Sequence, residues 1–422
     1  MYQKVKGTID YYGTETKKLQ IVSKKVKDII ENFGYEEVVL PIIENTEVFT
    51  RSSGETSDIV RKEMYTFEDR GKRSLTLRPE GTAGVVRFFL ESKEYANLDL
   101  KKYYYFGPMF RYERPQKGRY RQFIQFGVEV FGKSSYLLDV DVIYSAYAIF
   151  KALGIKNIRL RVNTIGDFGS RKDYALALKE YFKPKLSSLC PDCNERYATN
   201  PLRILDCKVD SESEALKKAP KIKDYLSEES KLYFKNLLEA LDMLEVPYEV
   251  DDTLVRGLDY YTDVVFEFEA MIDGSYLTVC GGGKYSDLVK NMGGPDLPGI
   301  GYSFGIERLI ELMSELNLFE DLDPKVDLVI ISLDENTKKQ SLKIANDLRS
   351  FGYKVELDYS SIKMKQQFRL SEKLNASLVL IYGEEEDKNK EIQVKNQKNG
   401  TQEKIKIKDL EKYLGENLWK HN

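Results

Sequence analysis

Lys102–Gly132 reads KYYYFGPMFRYERPQKGRYRQFIQFGVEVFG, and its patterning decides the fold. The aromatic and apolar YYYFGPMFRY predicts one strand, ERPQKGRYR carries turn formers, and QFIQFGVEVF alternates again as a second strand. Alternation sets Phe123, Gln125 and Glu129 on one face and Ile124, Phe126, Val128 and Val130 on the other. The second face is core. The first puts an amide and a carboxylate beside an aromatic in the middle of a sheet, where unpaired polar groups are costly. Either a polar ligand or a cross-strand partner such as Arg111 accounts for them. Arg111 closes the first strand and offers a planar fork of donors for a phosphate or carboxylate. Between the strands, Arg114, Lys117, Arg119 and Arg121 are set against Glu113 alone, an excess that points to phosphate chemistry, nucleic acid, or both.

Around this stretch lies a chain of 422 residues, long enough for two or three domains. Its 65 basic and 68 acidic residues nearly cancel, so contact with a polyanion has to come from local basic patches. The four cysteines lack the spacing of a disulfide framework. No apolar leader opens the sequence and no run approaches about 18 apolar residues, so a soluble cytoplasmic protein without membrane contact is expected. The single histidine, His421, sits in a polar tail where fraying is expected and receives no catalytic role.

Leu19, Val22, Val26, Ile29, Ile30 and Phe33 recur at helical spacing, with Gly34 as the stop. EEVVLPIIEN predicts a short strand ending at Pro41, in a region that is either ordinary core or part of a dimer interface. MYTFEDRGKRSLTLRPE predicts a hairpin turning at Asp69 to Lys72, and RPEGTAGVVRFFLE a helix with Gly81 or Thr82 near its cap. Glu80 therefore stands where a strand gives way to a helix, a position equally suited to capping and to holding a ligand. Residues 139–153 predict another helix ended by Gly154, and IKNIRLRVN a strand.

From about Asp167 to Pro247 the sequence turns helical and charged, as an insertion into a sheet-built core. Cys190-Pro191-Asp192-Cys193 is half a zinc knuckle without a second CxxC. Cys207 is only a third possible ligand, so a metal-free loop is expected there. Sheet character returns with TLVRGLDYYTDVVFEFEA, where Arg256, Gly257, Asp259, Tyr260 and Tyr261 precede a strand. Gly281, Gly282 and Gly283 either let backbone approach a ligand or serve a tight hairpin. Lys284 is not followed by Ser or Thr, so the run is no Walker A loop. PGIGYSFGIERLIELMSEL leads a strand into an amphipathic helix with Arg308 in its opening turns. Beyond Asp321, strands and helices alternate as a separate β/α array, with Lys363, Lys365, Arg369 and Lys373 as a basic run.

TLRPEGTA, GPMFRYERPQKGRYRQF, LVRGLDYYTDVVFE and GYSFGIERL together resemble the class II aminoacyl-tRNA synthetases, and most closely the histidyl-tRNA synthetase family, over essentially the whole chain. The resemblance implies an α+β fold. An antiparallel-sheet catalytic domain would span residues 1–166 and 247–322, a helical insertion 167–246, and an α/β anticodon-binding domain 325–422. It implies a homodimer that activates L-histidine with ATP and Mg2+, then transfers it to the 3' end of tRNA(His). Arg111 would hold the ATP α-phosphate, while Phe123 and Arg308 would sandwich adenine. Glu80, Gln125 and Glu129 would orient the histidine amino group. Arg256 would contact carboxylate and α-phosphate, and Tyr261 would recognise the imidazole. Arg111 and Arg256 are thus the expected catalytic pair, and Arg114, Lys117, Arg119 and Arg121 candidates for the tRNA acceptor end.

The chain departs from the family pattern at Tyr112 and Ile124, where histidines are usual, and after Asp10 in KGTIDYYG. None of these positions is an assigned reactive residue. The competing reading is a noncatalytic, histidine-sensing regulatory subunit of ATP phosphoribosyltransferase. Such proteins typically lack the C-terminal domain and erode the catalytic set; this chain keeps both. A synthetase-like RNA-binding protein without activity is a second alternative, disfavoured by the retention of all six residues Glu80, Arg111, Gln125, Glu129, Arg256 and Arg308.

Overall fold

Alternation in the quoted stretch produces two ten-residue strands running side by side, Lys101–Phe110 and Gln122–Phe131. The computed structural model describes residues 2–418 apart from 55–56, 58, 97–99, 117, 257–259, 273, 321, 323–325 and 361. The expectations for Lys117, Gly257, Asp259 and His421 lie outside the described residues. The chain forms two compact units divided near Glu320.

In the first unit the strands are β1 (Glu36–Glu37), β2 (Ile43–Asn45), β3 (Tyr65–Glu68), β4 (Ser74–Leu77), β5 (Lys101–Phe110), β6 (Gln122–Phe131), β7 (Ile158–Thr164), β8 (Tyr248–Val250), β9 (Thr262–Ile272), β10 (Ser275–Tyr285) and β11 (Gly299–Gly305). Eight of them form one sheet in the order β1-β5-β6-β11-β10-β9-β7-β8. Its six central strands pair antiparallel, and the short strands at both edges pair parallel.

The two faces of β6 are the two sides of this sheet. Phe126, Val128 and Val130 pack with Tyr104 under the helices Gly13–Asn32 and Tyr136–Ala152. Fully buried side chains of this kind each contribute roughly 1.5–3 kcal/mol. On the opposite side Tyr103, Tyr105 and Phe131 join Val85, Val86 and Phe89 of helix Thr82–Glu91 in a second core that extends to Tyr174, Leu178 and Phe182 of helix Phe168–Phe182. The helical segment therefore shares a core with the face of the sheet that carries Gln125 and Glu129. It also reaches the other side, where Leu237, Ala240 and Leu241 of helix Glu228–Met243 join the core.

The short strand expected to end at Pro41 is present, and a second strand in a different sheet follows the proline. β1 ends before Pro41 and pairs with β5, whereas β2 follows it and pairs with β4. Proline lacks a ladder donor, which is consistent with the break. The hairpin turn forms as expected: the Asp69 carboxylate accepts the Gly71 and Arg73 amides at 2.8 and 2.9 Å, and Lys72 takes φ +59°.

The second unit has β12 (Leu328–Ser332), β13 (Val355–Leu357), β14 (Leu378–Tyr382), β15 (Glu391–Asn396) and β16 (Gln402–Lys406), ordered β13-β12-β14-β15-β16. The first three are parallel, with helices Lys338–Ser350 and Met364–Lys373 as crossovers, and the last two are antiparallel. Helix Glu384–Asn389, not expected from the sequence, is short and strongly acidic, with no apolar period to announce it.

Candidate active site

The polar face of β6 is closed by neighbours from four elements. Glu129 is buried; one carboxylate oxygen accepts the Thr82 hydroxyl at 2.6 Å and the other accepts the Tyr285 hydroxyl. Gln125 accepts from the Tyr105 hydroxyl at 3.3 Å and donates to Ser303 Oγ at 3.2 Å. Burial pushes the Glu129 carboxyl up to about 8, against the two hydroxyl donors that favour its charged form and with help from nearby Glu80. It is held near the point where one proton more or less decides its charge.

Of the two roles open to Glu80 in the sequence, capping is directly seen. Its carboxylate accepts the Thr82 and Ala83 amides at 2.6 and 2.9 Å, satisfying free donors at the start of helix Thr82–Glu91. Burial raises its pKa against those amides and the charge of Arg111. Arg111 itself donates to the Pro79 carbonyl at 2.8 Å and lies 5.3 Å from the Phe123 ring centre. That places a cation, an aromatic and the strand–helix junction at one end of the β5–β6 pair.

Arg256 comes from the segment before β9. Its guanidinium pairs with Glu267, lies 5.8 Å from the Tyr261 ring, and keeps its Nε buried without a hydrogen-bond partner. Burial is the largest influence and works against its charge, but Glu267, Tyr261, Tyr260 and Cys280 together outweigh it and raise the pKa. Gly281 explains how so bulky a group fits: a Cβ there would lie 2.5 Å from both terminal guanidinium nitrogens. Gly283 does the same for Tyr261, whose ring would be 2.7 Å from an added Cβ. The glycine run lies within β10 and not at a hairpin turn, and side chains of the protein take the space beside Gly281 and Gly283. Arg256 and Tyr261 line a small cavity together with Ile165, Arg171, Asn200 and Arg203.

Arg308 follows β11 in helix Ile306–Glu315 and donates to the Thr278 carbonyl on β10. Burial, then the charge of Arg119, lowers its pKa. Its neighbour Glu307 accepts the Ile124 amide at 2.8 Å and the Tyr11 hydroxyl at 2.7 Å, which ties this helix to the β6 residue beside Phe123. In the basic loop Arg114 and Arg119 are exposed, Arg119 pairs with Glu113 at 3.5 Å, and Arg121 lies 4.3 Å from the Tyr112 ring.

Sequence reasoning overlooked Thr82, Tyr105, Glu267 and Tyr285. Tyr105 was within reach of the alternation on β5, since it pairs in register with Gly127 between Gln125 and Glu129. Glu267 depends on the β9–β10 register and Tyr285 on the β10–β11 and β11–β6 registers, and neither had a local signal. The structure also brings Cys207 and Asp210 to Cys190 and Cys193. Asp210 is a fourth donor absent from the cysteine spacing that made a metal-free loop the expectation.

A mainly antiparallel sheet with helix-backed faces, an arginine closing β5 and another opening the helix after β11 defines the catalytic domain of a class II aminoacyl-tRNA synthetase. The chain belongs to the histidyl-tRNA synthetase family: the model described as Histidyl-tRNA synthetase matches residues 7–309, and that described as Anticodon binding domain matches 327–417. Over 416 residues it is 46% identical to the histidine–tRNA ligase of Geobacillus thermodenitrificans (strain NG80-2), covering 98% of each chain. The crystal structure of apo S. aureus histidyl-tRNA synthetase superimposes with a TM-score of 0.85 at 37% identity, covering 98% of this chain and 99% of that one. An ATP phosphoribosyltransferase regulatory subunit/histidyl-tRNA synthetase from Bacillus halodurans C shares the fold, with a TM-score of 0.64 at 19% identity, covering 91% of this chain and 98% of that one.

Proposed function

We propose that the cavity beside Arg256 and the polar face of β6 together form the histidine and ATP site of a histidine–tRNA ligase. The reaction activates L-histidine to histidyl-adenylate with release of pyrophosphate, then transfers histidine to the 3' end of tRNA(His). The single observation that carries the site assignment is Arg256, a buried cation with an unpartnered Nε at a cavity wall, since a buried guanidinium donor calls for an anion.

A histidine carboxylate must approach an α-phosphate although both are negative. The step needs fixed cations more than a general base. Arg256 bridges carboxylate and phosphate from the β9 side, and Arg111 holds the phosphate from the β5 side. Phe123 and Arg308 receive the adenine between a ring and a guanidinium. Glu129 and Gln125 accept the histidine ammonium, with Glu80 fixing the Thr82 turn behind them. Tyr261 recognises the imidazole, because a site that satisfies ring nitrogens strands its own polar groups when an apolar amino acid enters.

The magnesium implied by the family would travel with the ATP phosphates, which need few protein carboxylates. Buried Glu307 Oε2 has no hydrogen-bond partner and is an oxygen suited to holding it. When bound, the ion supplies charge neutralisation of the departing pyrophosphate.

Arg114, Lys117, Arg119 and Arg121 guide the tRNA acceptor end, and residues 325–422 read the anticodon. The catalytic core takes residues 1–166 and 247–322, with 167–246 as its insertion. We place the enzyme in the cytoplasm, without membrane contact, as a homodimer. The exposed apolar Val39, Ile42 and Ile43 around Pro41 support an interface there. Among the described residues no helix is long and apolar enough to cross a membrane. The regulatory-subunit alternative is disfavoured by the retained Arg111, Arg256 and Arg308 and by the C-terminal unit.

Histidine-dependent exchange of pyrophosphate into ATP tests the activation step. Exchange with histidine and with no other amino acid is expected. No exchange from folded, magnesium-supplied protein would move the regulatory reading to the front.

A further inference from the structure

We propose that Cys190, Cys193, Cys207 and Asp210 hold one zinc ion that clips helix Pro191–Thr199 to the turn after Ile204. The four ligand atoms all lie within 4.8 Å of one another, and the sulfurs of Cys190 and Cys207 are 3.6 Å apart. Tetrahedral zinc with sulfur at about 2.3 Å spaces its sulfurs by about 3.8 Å, so this cluster needs little movement to close on the ion. All the cysteines are free.

Cys190 occupies the N-cap of a nine-residue helix and Cys193 lies in its first turn, so the helix sets the spacing of these two sulfurs. The Asp210 amide donates to Cys207 Sγ at 3.4 Å, and the Cys190 amide donates to Asp210 Oδ2 at 3.0 Å. Such contacts steady metal ligands from behind. Asp210 is half-buried, and apart from that amide its carboxylate faces thiols such as Cys207, 3.6 Å away, which are weak donors. A divalent cation would satisfy it far better.

Each cysteine gives its thiol proton to solvent as its sulfur bonds to zinc, so uptake releases protons and weakens at acid pH. The chain between the ligands carries Asn200, Leu202 and Arg203, which wall the cavity beside Arg256 and Tyr261. Zinc at this clip would fix that wall. This consequence rests on the active-site reading; metal binding itself does not.

The test uses full-length protein, stripped with a chelator and kept reduced. Zinc is titrated in competition with a chromophoric chelator, and cobalt then reports the ligands. One zinc per chain is expected, together with a sulfur-to-cobalt charge-transfer band and loss of both in Cys207→Ser. No uptake by folded, reduced protein overturns the proposal. So does cobalt bound without the sulfur band in the unmutated chain, a result that does not depend on the variant folding. Because these readouts ignore histidine and ATP, they fail separately from the catalytic assignment.

Discussion

Arg256, before β9, and Glu129, on β6, carry opposite electrostatic problems. Arg256 keeps its charge because Glu267, Tyr261, Tyr260 and Cys280 together outweigh burial, and its Nε has no hydrogen-bond partner. Arg256→Ala is expected to lower histidine-dependent pyrophosphate exchange by about 10²–10³, the usual scale for losing a donor aimed at developing charge. It also strands Glu267, at a cost of about 3–5 kcal/mol to folding, so the double variant with Glu267→Gln should regain stability without regaining exchange. Thermal midpoints measured beside the exchange assay separate the two effects. Glu129 is held near neutrality by burial, at about 8 instead of its ordinary 4.5. The folded protein therefore binds a proton that the unfolded chain releases. The stabilising contribution is complete below about pH 4.5 and is lost as pH rises through about 8. Asp139, raised to about 6, acts with the same sign but is spent by then. Glu80 and Glu307, also raised by burial, act with the same sign, so the variant at Glu129 is needed to isolate its share. Melting temperature is expected to fall between pH 6 and 8 in the unliganded protein, and Glu129→Gln to flatten that slope.

The β10 strand shows what an element contributes that its residues alone do not. Three successive glycines look interchangeable, yet their surroundings differ. At Gly281 an added Cβ meets the far end of Arg256, whereas at Gly282 it meets the Gly301 carbonyl and the Tyr302 Cβ. Gly281→Ala is expected to push the guanidinium aside, reducing exchange toward the Arg256→Ala level while the fold persists. Gly282→Ala has backbone to move and should lower the melting temperature first. Circular dichroism melts beside exchange rates check both. The same contrast marks what was legible in the sequence. Alternation in β6 placed Gln125 and Glu129 on one face because period 2 is a local property. Arg111 and Arg308 were legible as residues at element ends. The cap made by Glu80 is local and was one of its two readings, whereas the Glu267 partner of Arg256 and Asp210 beside the cysteines depend on which strands or turns meet. Pro41 was read as the end of one strand, but the same proline separates two strands that join different sheets.

For the whole molecule, the near-balance of 65 basic and 68 acidic residues means that tRNA has to be gathered by patches, not by net charge. In the second unit Lys365, Arg369 and Lys373 follow one another at four-residue intervals on helix Met364–Lys373, all exposed, with Lys363 just before it. Residues four apart share a helix face, so these cations form a stripe. Gln367 and Ser371, buried on the same helix, hold its other side: Gln367 exchanges bonds with the Ser332 amide and carbonyl at 3.0 and 2.8 Å. A rigid cationic stripe on a family-matched anticodon-binding domain should act on tRNA alone. Replacing Lys365, Arg369 and Lys373 together by Glu is therefore expected to leave histidine-dependent pyrophosphate exchange within about twofold of the unmutated chain. The same variant should raise the KM for tRNA(His) by tenfold or more, each lost phosphate contact costing on the order of 1 kcal/mol at moderate salt. The salt dependence of tRNA binding should become shallower in proportion to the contacts removed. Equal loss in both assays would mean that the stripe serves folding or catalysis, and an unchanged KM would place the tRNA on another face of the domain.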